Sequence, residues 1–341
     1  MRLTACLLPL LLIISPAMAA DGFKLHGKIH AESDISAADF LGDILLIGAD
    51  EAVGHDKNEN YIQLLKREGN DYYVSSNILV YRGDKEHGRE LDIEGIAIEG
   101  NHIFVVGSHA LARKRVNPDA NHKKNLKRLA TIKMEPGRKQ LFRLTLDSTN
   151  SVIKNERTSL ATIISNDPIL SPFSAIPSKE NGIDIEAVAV KNRRLYLGFR
   201  GPVLRGGFVP VMRLDFDNPE MSYRLHYLNL GGFGIRDMVS IPDGFILLAG
   251  PVADLPNEYR LYHWNGLDTL PGSNNGTLKL ISAIRPPAGG KAEAIAVEST
   301  TDLFYSIVIV FDGIKGGAPR RYTISRAGLE FNGKHNIGVR E

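Results

Sequence analysis

The sequence predicts an all-β chain built from several copies of one small antiparallel sheet. Three observations carry this prediction: an internal repeat, short apolar strands and abundant turn residues. Glycine occurs 33 times and proline 17 times in 341 residues, which favours many short elements over long helices. Sheets of three or four strands that recur along a chain form the blades of a β-propeller. We therefore predict a single β-propeller.

The repeat is a pair of apolar strands joined by a tight turn. Its second strand is apolar and ends at a small residue. A third strand, in which polar and apolar residues alternate, follows. The five copies begin at Asp34, Asp92, Asp184, Ile235 and Lys291. Their turns contain glycine or asparagine, which suits hairpins, and the unit is typical of a propeller blade. A solenoid is disfavoured because the copies contain no helix and no fixed short period.

The number of blades follows from the spacing of the copies. Equivalent positions fall at residues 36, 94, 186, 237 and 293, and the second interval is the longest. Residues 110–139 lie in that interval and are polar and basic with little strand pattern. We predict five blades with a basic insertion in the second; a degenerate sixth blade is the alternative. Residues 23–26 are expected to add a strand to the last blade and close the ring.

The N-terminus has the pattern of a secretory signal peptide. Arg2 precedes an apolar run at residues 7–14, and Ala17-Met18-Ala19 forms a small-residue cleavage site. The run is too short to span a membrane. We predict a signal peptide over residues 1–20, a propeller over residues 21–341, and a periplasmic or secreted protein with no transmembrane segment. The one cysteine, Cys6, lies in the signal, so disulfides and cysteine chemistry are not expected.

The repeated Asp-Ile-Glu-Gly/Ala motif at Asp92 and Asp184, with residues 232–238, resembles a bacterial family of exported proteins. That family is labelled domain of unknown function 3616. The resemblance covers about residues 33–324 and implies a propeller without an assigned reaction. A looser resemblance links the motif to phytase-like esterases and to the SdiA-regulated group of propellers. The metal-binding acidic runs of true β-propeller phytases do not occur in this sequence.

A carboxylate recurs at one position of the repeat. These residues are Glu94, Glu186, Asp237 and Glu293, with Ser36 in the first copy. The symmetry of a propeller places such residues around the central channel, where they repel each other or recruit a cation. We predict a site for a divalent cation such as Ca²⁺. The alternative is a structural role in which each carboxylate accepts hydrogen bonds from the backbone of a neighbouring blade.

The ends of the paired strands carry different residues in each copy, as a ligand site on a symmetric scaffold requires. The candidates are Asp50, His109, Arg200 and Asp312. His109 and Arg200 suit an anion, and His109 also suits an acid. Asp50 and Asp312 suit a metal ion. The alternative is that all four are ordinary solvated loop residues.

The basic insertion supplies further candidates. Arg113 and Lys114 begin a run of cations that we expect to form a lid over the channel, attracting a phosphate ester, an anionic glycan or lipid headgroups. A solvated, mobile loop is the alternative. Nucleic acid is not an expected partner, because no aromatic residues are interleaved and the chain is predicted to be exported.

These patterns favour an exported propeller that binds a small anionic ligand or a partner over its channel. One alternative is a metal-dependent hydrolase of phosphate or carboxylic esters, with His109 as acid or base and the repeated carboxylates holding the cation. The other is a protein-interaction scaffold. No catalytic residue is assigned, and the oligomeric state is left open.

Overall fold

The computed structural model describes residues 18–253, 258–273, 275–327 and 329, with side chains from residue 22 onward. Five antiparallel sheets stand in a ring, so the predicted five-bladed β-propeller is confirmed and the six-bladed alternative is wrong. The innermost strand of each blade contacts the innermost strands of its two neighbours, and the last contacts the first. No helix in this part of the chain is long and apolar enough to cross a membrane.

Each blade is a meander whose first strand is the innermost. Blade 1 has strands Ile35–Leu41, Ile44–Ala49, Glu59–Glu68 and Asp71–Arg82. Blade 2 has strands Ile93–Glu99, His102–Gly107, Leu141–Leu146 and Val152–Thr158. Blade 3 has strands Asp184–Lys191, Arg194–Gly201, Phe208–Leu214 and Arg224–Asn229. Blade 4 has strands Gly234–Ile241, Gly244–Gly250, Tyr259–Trp264 and Leu278–Ile284. Blade 5 has strands Lys291–Thr300, Phe304–Asp312 and Arg320–Ser325, completed by Met18–Gly22.

The N-terminal residues close the ring, although not with the predicted strand. Met18–Gly22 pairs with Arg320–Ser325 at the outer edge of blade 5, and Phe23 follows it without joining that sheet. Leu25–His26 instead pairs in parallel with blade 1 at Tyr72 and Tyr73. The prediction for residues 23–26 is therefore wrong, because this stretch crosses to the next blade. Of the predicted signal peptide, residues 1–17 lie outside the described residues and residues 18–20 belong to the closing strand.

Two features lengthen the interval between the first strands of blades 2 and 3. The insertion at residues 110–139, called the basic arm below, joins no blade: Leu111–Arg113 pairs with Ile132–Met134, and helix His122–Leu129 lies between them. The helix begins at Asn121, whose side chain accepts a hydrogen bond from the backbone N–H of Lys124 at 2.9 Å. The connection from blade 2 to blade 3 adds three further turns of helix. These are Ala161–Asn166, Ser171–Phe173 and Ser178–Glu180.

The remaining helical turns are short. They are Pro136–Arg138, Pro219–Ser222 and Lys315–Gly317.

Apolar side chains fill the space between adjacent blades. Between blades 3 and 4, fully buried Trp264 lies 5.1 Å from the ring of Phe245 and 6.0 Å from the ring of Tyr196, measured between centroids. The inner strands are apolar on both sides because one side faces each neighbouring blade. This packing makes the ring rigid and leaves its polar groups at the ends of the channel.

Every inner strand carries a β-bulge near its start. In blade 3, Ile185 pairs with Phe199 and Ala187 pairs with Gly198, so Glu186 is the extra residue. In blade 4, Ile235 pairs with Ala249 and Asp237 with Leu248, so the extra residue is Arg236. The five bulged residues are Ser36, Glu94, Glu186, Arg236 and Glu293. Because a bulge re-aims a side chain, these residues form a ring at one end of the channel.

The predicted equivalence of Asp237 is therefore wrong by one residue. Asp237 occupies the position of Ala37, Gly95, Ala187 and Ala294 in the other blades. Its carboxylate accepts hydrogen bonds from the backbone N–H groups of Met238 and Ile295, both at 2.7 Å, and so joins blade 4 to blade 5. This matches the structural role that was the alternative to metal binding.

Asp39 makes the equivalent connection between blades 1 and 2. Its carboxylate accepts from the backbone N–H of Phe40 at 2.8 Å and of Ile98 at 2.9 Å. Burial raises the pKa of Asp39 to about 7 and that of Asp237 well above its ordinary value, while the N–H groups oppose both shifts.

We expect Asp237→Ala to lower the free energy of unfolding by about 2–4 kcal/mol, because two buried N–H groups lose their acceptor. Alanine fits this backbone, since the other blades have small residues there, so the loss isolates the hydrogen bonds. Chemical denaturation measures it, with Asp302→Ala in an exposed loop as control. A loss no larger than that of the control would contradict the role of Asp237.

Candidate functional site

The ring of bulged residues forms the floor of a cavity of about 410 Å³, called the channel mouth below. The cavity lies where the inner strands begin and the second strands end. Asp50, Arg200 and Asp312 line it from the strand ends, and Arg113 and Lys114 line it from the basic arm. The structure thus brings five of the six predicted ligand-binding residues together.

A chain of buried ion pairs crosses the channel mouth through blades 3, 4 and 5. In blade 3, Arg200 pairs with Glu186 and lies 3.3 Å from Asp184, measured from Nε to Oδ2. Arg236 of blade 4 lies 2.9 Å from Glu186, measured from Nη1 to Oε2, and also pairs with Glu293 of blade 5. All five side chains are buried. Each arginine is therefore fixed between two carboxylates.

Burial and the neighbouring opposite charges have opposite effects on the pKa values of these ion-paired residues. Burial raises the pKa of Glu186, while the guanidiniums of Arg200 and Arg236 oppose the shift and favour the carboxylate. The pKa of Arg236 lies well above its ordinary value: burial opposes the charge, but Glu186 and Glu293 outweigh it. The arginine charges persist at any ordinary pH.

A third arginine with two carboxylate partners lies on the blade 2 side of the channel mouth. Arg138, in the last turn of the basic arm, pairs with Glu90 and lies 3.0 Å from Asp92, measured from Nη1 to Oδ2. Sequence reasoning missed Arg138, Asp92, Asp184 and Arg236 as site residues. The repeated Asp-Ile-Glu motif was the available signal for the two aspartates, because it places an acid two residues before Glu94 and Glu186.

Two partly buried carboxyls in the channel mouth have no partner among the described side chains. Neither Asp50 nor Glu94 makes a side-chain hydrogen bond or ion pair within the described part of the chain, and Oδ1 of Asp50 is buried. Burial, followed by the charges of Asp92 and Asp312, raises the pKa of Asp50 to about 9. Burial, followed by Asp92 and Glu186, raises the pKa of Glu94 well above its ordinary value. Asp50 is therefore protonated at neutral pH, and the environment of Glu94 favours its protonated form in the same direction.

The prediction for His109 is wrong. Its backbone has a φ of 55°, and this left-handed turn folds the ring into the protein instead of the channel mouth. Nδ1 lies 2.8 Å from the carbonyl oxygen of Gly107, and Nε2 accepts from the backbone N–H of Leu160 at 3.3 Å. Burial lowers the pKa of His109 to about 4. The neutral ring links Gly107 to Leu160 and does not line the channel mouth.

The rim of the channel mouth is formed by the lining residues outside the floor, among them Asp312, Arg113 and Lys114. Its charged side chains are paired differently from those of the floor. Asp312 lies 3.0 Å from Lys291 between Oδ2 and Nζ, and Arg113 forms a two-point pair with Glu180 that includes a contact of 2.8 Å. Lys114 makes no side-chain hydrogen bond or ion pair with any described residue. It is therefore the cation of the rim that is available to a ligand.

The four predicted metal ligands do not form a ligand set. Glu186 and Glu293 are held by Arg236, Asp237 is bonded to the backbone, and Glu94 remains by itself. Among residues 18–253, 258–273, 275–327 and 329, no three His, Cys, Asp or Glu side chains are grouped so that they could hold a metal ion.

Fold and site together define a five-bladed β-propeller with a charged channel mouth. The chain belongs to the family described as "Protein of unknown function (DUF3616)", which matches residues 34–323. This confirms the family resemblance found in the sequence. No curated protein matches the chain.

Solved structures resemble the fold at low sequence identity. A GH43_1 enzyme from Xanthomonas citri complexed with xylose is 11% identical, with a TM-score of 0.45, and the match covers 91% of this chain and 90% of that one. A DUF4623 family protein from Bacteroides eggerthii is 9% identical, with a TM-score of 0.44, covering 85% and 58%. An exo-1,5-alpha-L-arabinanase from a bovine ruminal metagenomic library is 10% identical, with a TM-score of 0.41, covering 86% and 92%.

We expect the protein to lose thermal stability between pH 7 and pH 9. Asp50 and Glu94 have raised pKa values, so the folded chain binds more protons than the unfolded chain, and stability falls as pH rises. Buried histidines do not obscure this window, because they are neutral in both states. Differential scanning calorimetry should show a loss smaller by roughly 3 °C in Asp50→Asn, which cannot ionise. An identical pH dependence in both proteins would contradict the protonated state of Asp50.

Proposed function

We propose that the channel mouth binds a small molecule that carries both an anionic group and hydroxyl groups. The observation that carries this proposal is a contrast in charge pairing: Arg200 and Arg236 each pair with two carboxylates, whereas Lys114, Asp50 and Glu94 make no side-chain ion pair or hydrogen bond with the described residues. A cavity of about 410 Å³ lies within the size range of small-molecule sites. The metal-dependent hydrolase is disfavoured because its ligand set is not assembled.

The anionic group is assigned to the rim. The charges of Arg200 and Arg236 are already compensated, since each arginine faces two carboxylates. The ammonium of Lys114 is available and has three donors, so it suits a carboxylate or phosphate. The neighbouring pair of Arg113 and Glu180 fixes the base of the basic arm beside it. An anion at this level lies above the carboxyls of the floor.

The hydroxyl groups are assigned to Asp50 at a strand end and to Glu94 of the floor. A protonated carboxyl donates one hydrogen bond and accepts others, as a hydroxyl partner requires. Asp50 is in that state at neutral pH, and burial and the surrounding carboxylates favour the same state for Glu94. While they are neutral they do not repel an anionic ligand. A sugar acid or a sugar phosphate has this combination of groups.

The place of action is the periplasm or the outside of the cell. This part of the proposal rests on the signal-peptide pattern of residues 1–20. A ligand-binding propeller in that compartment would hold a small solute rather than a nucleic acid.

We expect Lys114→Ala to weaken binding of an anionic sugar about tenfold, because one charge-assisted hydrogen bond is lost. Isothermal titration calorimetry with glucuronate, glucose 6-phosphate and glucose measures this. The matched control is Lys85→Ala, which removes an exposed lysine outside the channel mouth.

The wild-type protein should bind the two anions more tightly than glucose, and the control should bind like wild type. Equal affinity for glucose and glucuronate would exclude the rim as the anion site. Absence of binding to all three sugars would contradict the proposed ligand class.

A further inference from the structure

The basic arm concentrates the positive charge of the protein. It holds ten of the 41 lysines and arginines and two of the 39 aspartates and glutamates, which gives a net charge of +8. The whole chain carries +2, so the remainder carries −6. Six of the cations are lysines without any hydrogen bond or ion pair to a described side chain: Lys114, Lys123, Lys124, Lys127, Lys133 and Lys139.

The same arm exposes apolar side chains. None of the eight residues of helix His122–Leu129 is buried. The exposed apolar residues of the arm are Val116, Leu126, Leu129, Ile132 and Met134, of which Met134 is 66% exposed. Leu126 and Leu129 share one face of the helix because they are three residues apart, and Lys123 and Lys127 lie beside them. Cations that flank exposed apolar residues are typical of segments that lie on membrane surfaces.

A groove of about 420 Å³ runs along the arm. Four cations line it, Lys114, Lys124, Lys127 and Arg128, together with one carboxylate, Asp119. The groove suits the phosphate of a lipid headgroup, because four basic side chains and only one carboxylate line it.

We propose that the basic arm docks the protein on an anionic lipid surface. Lysine clusters attract such surfaces, and each lysine near the surface contributes about a factor of five in affinity. A protein partner is less well matched, because protein interfaces are rich in aromatic residues and poor in lysine. The arm has no aromatic residue among residues 110–139 apart from His122, and its apolar side chains are separated by cations.

Docking would also set the orientation of the propeller. Val116 and Leu129 of the arm line the channel mouth as well. A surface that covers these residues therefore lies in front of the channel mouth, so the ligand site faces the lipid. This inference goes beyond ligand binding and does not depend on which solute the channel mouth holds.

The test is co-sedimentation of the purified protein with vesicles of phosphatidylcholine containing about one-third phosphatidylglycerol. Wild-type protein should bind these vesicles and not vesicles of pure phosphatidylcholine. Lys123→Glu/Lys127→Glu should reduce the apparent affinity by about 25-fold or more, since two contributions are lost and two repulsive charges are added. Lys66→Glu/Lys85→Glu changes two exposed lysines outside the arm and is the matched control. All variants share one N-terminus, so any contribution from that segment cancels.

A third variant, Leu126→Ser/Met134→Ser, tests the apolar contribution and should bind several-fold more weakly than wild type. Thermal unfolding checks that every variant is folded, as expected for exposed positions. Equal binding of the wild type and the Lys123→Glu/Lys127→Glu variant would overturn the proposal, as would equal binding to neutral vesicles. Complete competition by millimolar glycerol phosphate would show a site for a free anion instead of docking. Binding to polyglutamate without binding to vesicles would identify an acidic protein as the partner.

Discussion

The guanidinium of Arg236 bridges three blades of the propeller. It lies in blade 4 and pairs with Glu186 of blade 3 and Glu293 of blade 5, all three being buried. Removing one partner from such a group leaves an uncompensated buried charge, which costs about 3–5 kcal/mol. The geometry of the channel mouth depends on this bridge, because it fixes the charged side chains near Asp50 and Glu94. With the arginines paired to carboxylates, Lys114 is the cation that is available to a ligand.

The bridge exists because the five inner strands share one irregularity. A β-bulge at the same position in each blade turns one side chain toward the channel, and the residue at that position decides the local charge. Blades 3 and 5 supply glutamates, blade 4 supplies the arginine between them, and blade 1 supplies Ser36. The hydroxyl of Ser36 donates to the backbone of blade 2, beside Glu94, so that carboxyl has no cation as a neighbour in the ring. The backbone irregularity is thus the same in every blade, but the side chain at the bulge differs. As a result, the bulged residues of blades 3, 4 and 5 are ion-paired, whereas Glu94 of blade 2 has no ion pair among the described residues.

Much of the fold could be predicted from the sequence, because apolar strands, turns and repeats are local patterns. The blade count, the insertion and the ring of bulged residues followed from them, except in blade 4. There, alignment on the carboxylate selected Asp237, whereas alignment on Ile235 with the isoleucines of blades 2 and 3 gives Arg236. The positive φ of His109 and the pairing of Arg138 with Asp92 depend on backbone geometry and tertiary contact, which spacing does not reveal.

The coupling between Arg236 and Glu293 tests the account most directly. A double-mutant cycle with Arg236→Gln, Glu293→Gln and the double variant, measured by chemical denaturation, gives this energy. The account predicts that each single variant is strongly destabilised and that the double variant loses at least about 2 kcal/mol less than the sum of the two. Additive losses would contradict the claim that this ion pair holds the blades and the channel mouth together.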